Sequence, residues 1–113
     1  MAGALGELEQ LLLLALLRRG GTASGIELKD ELANRTGRKV LPGAVYTIME
    51  RMRDRNLVSS FTGESTPERG GRRRKYYRME EAGQRALADS YRQVARMAEG
   101  LSDQLLHLSD ENS

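Results

Sequence analysis

The stretch "RGGRRRKYYR", residues 69–78, places six cations and no acid within ten positions, with two glycines inside the charge and two tyrosines after it. The segment "LVSSFT" at 57–62 precedes it with strand-like content, as does "RKYYRM" at 74–79. Gly, Ser, Thr and Pro fill the interval and read as a loop, so the two segments form a β-hairpin with a long basic tip. Alternation along the second strand puts Tyr77 with Met79 on one face, toward the core. Tyr76, Arg74 and Arg78 take the other, charged face. The 113-residue chain has a formal net charge of +2 from 18 Lys and Arg against 16 Asp and Glu. Subtracting the six charges of the run leaves −4 for the remainder, so the positive potential is local and faces an anionic partner.

Upstream of the hairpin the pattern is helical three times. Residues 6–19 carry Leu8, Leu11, Leu12, Ala15 and Leu16 on one stripe, widened by Leu13, Leu14 and Leu17, and Gly20 and Gly21 end the helix. Ser24 and Glu27 have the spacing of a capping box, which starts a second helix running to about Arg35. Ile26, Leu28, Leu32 and Ala33 are its apolar positions; Asn34, Thr36 and Gly37 break it. Pro42 suits the first position of a third helix, to about Arg55, because its missing N–H would be unpaired there in any residue. Val45, Ile48, Met49 and Met52 recur at i, i+3, i+4, i+7 and face inward, which turns Gly43, Tyr46, Thr47 and Glu50 outward. Leu41, ahead of Pro42, has no side-chain acceptor, so N–H groups at this helix start are expected to be open to a phosphate.

From Glu80 to about Leu108 the sequence predicts one long helix. Leu87, Tyr91, Val94, Ala98, Leu101, Leu105 and Leu108 keep a heptad spacing, which calls for another helix along it. A helix of this length overhangs a domain built from the other residues, so a second copy of the chain is the expected cover. Gly83 and Gly100 each weaken it by about 1 kcal/mol relative to Ala.

Composition narrows the function classes. No cysteine is present, which excludes disulfides and thiolate chemistry and fits a reducing compartment; the expected location is cytoplasmic. The apolar run "LLLLALL" at 11–17 is far shorter than the roughly 18 residues a membrane span needs, and acids rather than bases precede it. A single histidine makes a transition-metal site improbable, and no phosphate loop or nucleophile elbow appears, so neither metal, cofactor nor enzyme activity is expected. The basic run has no large apolar residue beside it to insert into lipid, and aromatic content of 4% offers little stacking surface for single-stranded RNA.

Three helices, a two-stranded hairpin with a basic tip and a long heptad helix make a mainly α, α+β plan: a winged helix-turn-helix domain at residues 1–79 and a C-terminal dimerisation helix at 80–113. In that plan the third helix enters the major groove of double-stranded DNA and the hairpin, the wing, reaches the neighbouring backbone. Gly70 and Gly71 let the tip turn and approach closely, while Arg69, Arg72, Arg73, Arg74 and Lys75 offer charge to phosphates.

The segments "LGELEQLLLLALL" at 5–17, "SGIELKDEL" at 24–32, "GAVYTIMERM" at 43–52, "NLVSS" at 56–60 and "PERGGRRRKYYRM" at 67–79 together resemble the PadR-like transcriptional regulators, in the subgroup with a single C-terminal helix. The resemblance implies a bacterial dimeric regulator, commonly a repressor that a small-molecule effector releases from its operator. It also implies that the recognition helix carries a Gly-x-x-Tyr segment, matched by Gly43 and Tyr46, and that the wing carries the basic run. One departure is the opening of helix four, where "MEEAG" replaces the family's Thr-Pro-Glu-Gly-like cap. The expected DNA-facing set is Lys39, Pro42, Gly43, Tyr46, Thr47, the basic residues and glycines of 69–75, and Tyr76. The rival expectation is a coiled-coil protein-interaction module whose basic loop has no specific DNA site.

Overall fold

The computed structural model describes residues 4–64 and 73–111. In chain order the elements are α1 (Glu7–Arg18), β1 (Thr22–Ser24), α2 (Gly25–Thr36), α3 (Pro42–Asp54), β2 (Val58–Thr62), β3 (Lys75–Met79), α4 (Glu81–Ala98) and α5 (Ser102–Glu111). Local chemistry accounts for most of the boundaries. The Ser24 hydroxyl accepts the Glu27 N–H at 3.2 Å while the Glu27 carboxylate accepts the Ser24 N–H at 2.8 Å, the two reciprocal bonds of a capping box. Gly37 closes α2 in the left-handed region at φ 76°, its N–H donating to the Ala33 carbonyl.

The core is a single cluster. Leu12, Leu13 and Leu16 of α1, Leu28 of α2, and Val45, Met49 and Met52 of α3 close over Val58 and Tyr77 of the sheet and Leu57 just before β2. The sheet is antiparallel in the order β1-β3-β2. Its register sets Ala23 and Ser60 on either side of Tyr77, and Ser24 and Phe61 on either side of Tyr76. Tyr77 therefore points into the core and Tyr76 to the outer face, as the alternation predicts.

Three features differ from the sequence reading. Residues 22–24 form a third strand on β3; a three-residue strand is too short to display a period of two. The predicted long helix is two helices: Glu99 leaves helical geometry, Gly100 adopts φ 81°, and α5 begins at Ser102. Glycine takes that left-handed conformation without the Cβ clash other residues meet, and here the chain turns instead of continuing. Gly83 also has a positive role. A Cβ placed there would lie 2.1 Å from the Leu57 carbonyl oxygen, so only glycine lets α4 press against the end of α3 and the start of β2.

Candidate nucleic-acid interface

The start of α3 stands out from the body. Leu41, its N-cap residue, is 78% exposed and makes no capping bond, and no acid lies in the first turn. The Ala44 and Val45 N–H groups both reach the Leu41 carbonyl, which leaves the Gly43 N–H as the one first-turn donor without an acceptor among the described residues. Gly43, Ala44, Thr47 and Arg51 form the exposed face of the helix, and the Thr47 hydroxyl donates to the Gly43 carbonyl at 2.9 Å. Arg51 belongs to this face although the sequence reading passed over it. Its place one turn beyond Thr47, at i+4, was the available signal.

Tyr46 and Glu50, expected outward, are half-buried. The Tyr46 ring lies against Gly25, where an added Cβ would come within 3.0 Å of it, and tilts over the Tyr77 ring with centroids 6.3 Å apart. The outward face is thus rotated from the predicted one toward Ala44, Thr47 and Arg51. Pro42 and Lys39 are exposed as expected.

In the wing, Arg69, Gly70, Gly71 and Arg72 lie outside the described residues. Arg73 is exposed and Arg74 half-exposed at the root of the hairpin. Tyr76 stacks on Phe61 with centroids 5.4 Å apart, and the Arg78 guanidinium sits 4.9 Å from the Phe61 ring centroid, a cation–π contact on the outer face. Lys75, expected to face phosphate, has a carboxylate partner within the chain. It shares the inward face with Tyr77, and its ammonium meets Glu50 Oε2 at 2.9 Å.

Glu50 gathers three donors. The Tyr77 hydroxyl donates to Oε2 at 2.9 Å, Lys75 binds the same oxygen, and Arg53 meets Oε1 at 3.1 Å. Burial would raise the Glu50 pKa, but the hydrogen bonds from Lys75 and Tyr77 and the charges of Lys75 and Arg53 outweigh it and hold the carboxyl below its ordinary value. Burial, and after it the hydrogen bond and negative charge of Glu50, push the Tyr77 phenol well above its ordinary value.

Arg19, Arg35, Arg38, Arg53, Arg55 and Arg85 are each tied to a carboxylate. Lys39, Arg51, Arg73 and Arg74 have no ion pair among the described residues. All four lie on the segment before α3, on its exposed face or at the root of the wing; Arg18 at the end of α1, Arg78 on β3 and Arg96 on α4 are likewise without an ion pair among the described residues.

The arm presents apolar surface. Of the heptad positions, Leu87 is buried against the core and Ala98 is half-buried, while Tyr91, Val94, Leu101, Leu105 and Leu108 are exposed, joined by Met97 at 82%. A hollow of about 540 Å³ lies between α1 and α4, lined by Leu14, Leu17, Met79, Gln84, Leu87, Ala88 and Tyr91. Another of about 510 Å³ runs along Val94, Met97, Ala98, Leu101 and Leu105. Among the described residues no helix is long and apolar enough to cross a membrane, and no acidic or histidine cluster could hold a metal ion.

A helix-turn-helix backed by a three-stranded sheet whose β2–β3 hairpin forms a wing defines a winged-helix protein. The chain matches the "Transcriptional regulator PadR-like family" over residues 13–89, and it belongs to that family. Solved structures similar to it include a transcriptional regulator from Thermoplasma acidophilum (29% identity, 88% of this chain and 91% of that one, TM-score 0.68). A PadR family regulator from Eggerthella lenta matches at 28% identity over 88% of this chain and 86% of its own, with TM-score 0.67. PadR of Bacillus subtilis, solved in complex with operator DNA, shares the fold at 19% identity and TM-score 0.62, over 74% of this chain and 45% of that one. No curated protein matches the chain.

Proposed function

We propose that this chain is a sequence-specific DNA-binding regulator, acting as a dimeric repressor on a pseudo-palindromic operator. The observation that carries this reading is the distribution of charge: the cations tied to no carboxylate include Lys39, Arg51, Arg73 and Arg74, gathered around the exposed start of α3 and the wing root. An ion-paired arginine already has its counter-charge, whereas an unpaired one releases counterions from DNA when it meets a phosphate. Gly43, Ala44 and Thr47 are small enough to bring the α3 backbone against base edges, and the Gly43 N–H is free for a phosphate. Lys39, Arg73, Arg74, Arg69 and Arg72 serve the backbone, with Gly70 and Gly71 giving the wing tip its close approach. Tyr46, Lys75 and Tyr76 act behind this surface, through α3 and the wing, and Pro42 fixes the helix start.

Residues 1–79 carry DNA recognition and 80–113 carry dimerisation, through Tyr91, Val94, Ala98, Leu101, Leu105 and Leu108 together with Met97; Leu87, expected on the same seam, is only 5% exposed and belongs to the core of its own chain instead. A homodimer joined by these arms sets two α3 helices into successive major grooves, with half-sites about 10 bp apart. Release follows a change in the angle between arms, driven by a small apolar effector in the hollow between α1 and α4. The chain works in the cytoplasm and catalyses no reaction. The test is selection of the protein against a random duplex pool at near-physiological salt. An enriched inverted repeat is the expected result; retention without enrichment would reduce the function to backbone binding, and no retention would favour a protein-interaction module.

A further inference from the structure

Between the recognition helix and the wing the structure holds a polar junction that a DNA surface alone does not require. Tyr77 is fully buried, yet its hydroxyl reaches the Glu50 carboxylate; Lys75, two residues earlier on the same strand face, reaches the same oxygen. Lys75 also lies 5.9 Å from the Tyr77 ring centroid, so cation, ring and carboxylate form one closed cluster. Its position in the hairpin gives it consequence. Lys75 opens β3, directly after the wing-root cations Arg73 and Arg74, and opposite Thr62 at the end of β2. Glu50 stands on α3, one turn from Tyr46 and adjacent in sequence to Arg51.

We infer that Glu50, through Lys75, is a positioning residue that fixes the wing cations relative to the base-facing surface of α3, and so sets the discrimination between operator and other DNA. The inference rests on the DNA-binding reading above. A carboxylate on a DNA-facing helix opposes phosphate, and left unpaired it would lower affinity for every duplex alike. Here its charge is spent on the strand that carries the wing. Phosphate contacts fix register without reading sequence, and only a wing held at one distance from α3 admits both sets of contacts together on the right site. A wing released from α3 still finds phosphates, on any sequence.

The test uses the full chain and two probes: the duplex it enriches from a random pool, and a scrambled duplex of equal length and composition. Glu50→Gln keeps an oxygen to accept from Tyr77 but loses the charge that holds Lys75; Lys75→Met breaks the same link from the wing side. Each variant is expected to lose about tenfold in the ratio of the two affinities, and the double variant no more than either single one, the non-additivity of one shared contact. Affinity for the scrambled duplex, corrected for the folded fraction, stays constant or rises for Glu50→Gln. If Lys75 acts simply as a phosphate contact, Lys75→Met weakens both duplexes equally and Glu50→Gln tightens both equally, leaving the ratio unchanged; that result overturns the inference. A parent chain that does not distinguish the two duplexes overturns the DNA-recognition reading, and the inference with it.

Discussion

Tyr77 carries a hydroxyl on a fully buried side chain, and its partner is an ionised carboxylate. A hydrogen bond to a charged acceptor contributes about 1.5–3 kcal/mol, so Tyr77→Phe should destabilise the fold by about that amount at neutral pH, as read by denaturant unfolding. The pKa shifts give the loss a pH signature. The folded-state pKa of Tyr77 is raised, so its contribution is fully present below the ordinary value of 10.0 and is lost as pH rises above it. In that window the parent should lose up to about 1.4 kcal/mol per pH unit more than Tyr77→Phe does, and the gap between them should close. Glu50 is shifted the other way. Its contribution is present above the ordinary 4.5 and is lost as pH falls through its lowered folded value, so the parent and Glu50→Gln should converge in acid. If the gap between parent and Tyr77→Phe is the same at pH 7 and pH 11, the hydroxyl is not bonded to Glu50 in solution.

Among the elements, α4 is held to the domain by the absence of a side chain. Gly83 brings its backbone against Leu57, and the Glu80 N–H donates to the Leu57 carbonyl at 3.1 Å beside it. Intrinsic helix propensity alone predicts that Gly83→Ala stabilises α4 by about 1 kcal/mol. The contact reverses the sign: a Cβ at 2.1 Å from a carbonyl oxygen forces the helix off its seat, and the expected cost is about 3 kcal/mol, seen as a lower thermal midpoint. The sequence could show that residue 83 is glycine, but not what backbone it would touch, because Leu57 is remote along the chain. The same division runs through the fold. Features written in neighbouring residues were legible: the Ser24–Glu27 box, Pro42 at its helix start, and the opposite faces of Tyr76 and Tyr77. Features that depend on distant partners were not. Lys75 sits in a basic run and reads as another phosphate ligand, while β3 brings it to the Glu50 carboxylate, a partner the sequence does not show. Helical period assigns Tyr46 outward, but Gly25, brought near by α2, gives its ring a seat. Gly100, by contrast, reads from the sequence as a weak helix residue but ends α4 at φ 81°, with no atom beyond its chain neighbours within 4 Å of its Cβ position, so the turn is made by glycine's own backbone freedom rather than by packing.

At the scale of the whole molecule, the exposed apolar surface of the arm and the unpaired charge around α3 are at different places, and the proposed dimer is what would relate them. In the dimer proposed above, exposed Tyr91, Val94, Met97, Leu101 and Leu105 would leave water against the partner's arm, and joining two arms would hold two α3 helices at a fixed separation. Val94→Glu with Leu101→Glu should therefore raise the dimer dissociation constant about 30-fold or more, measured by sedimentation equilibrium, with the thermal midpoint of the winged domain little changed. Operator affinity should fall as dimerisation is lost, since a monomer engages one half-site. The salt dependence of binding separates this effect from loss of the charges themselves. Arg73→Ala with Arg74→Ala removes up to two phosphate contacts per protomer, so in the dimer the slope of log K against log salt should flatten by up to about 3.6, while the oligomeric state is untouched. The arm variant, binding as a monomer, should show about half the parental slope; the wing variant should remain a dimer and lose slope only through its missing charges. A wing variant with the parental slope would show that Arg73 and Arg74 do not meet DNA, and would shift the electrostatic role to Lys39 and Arg51 at the start and exposed face of α3.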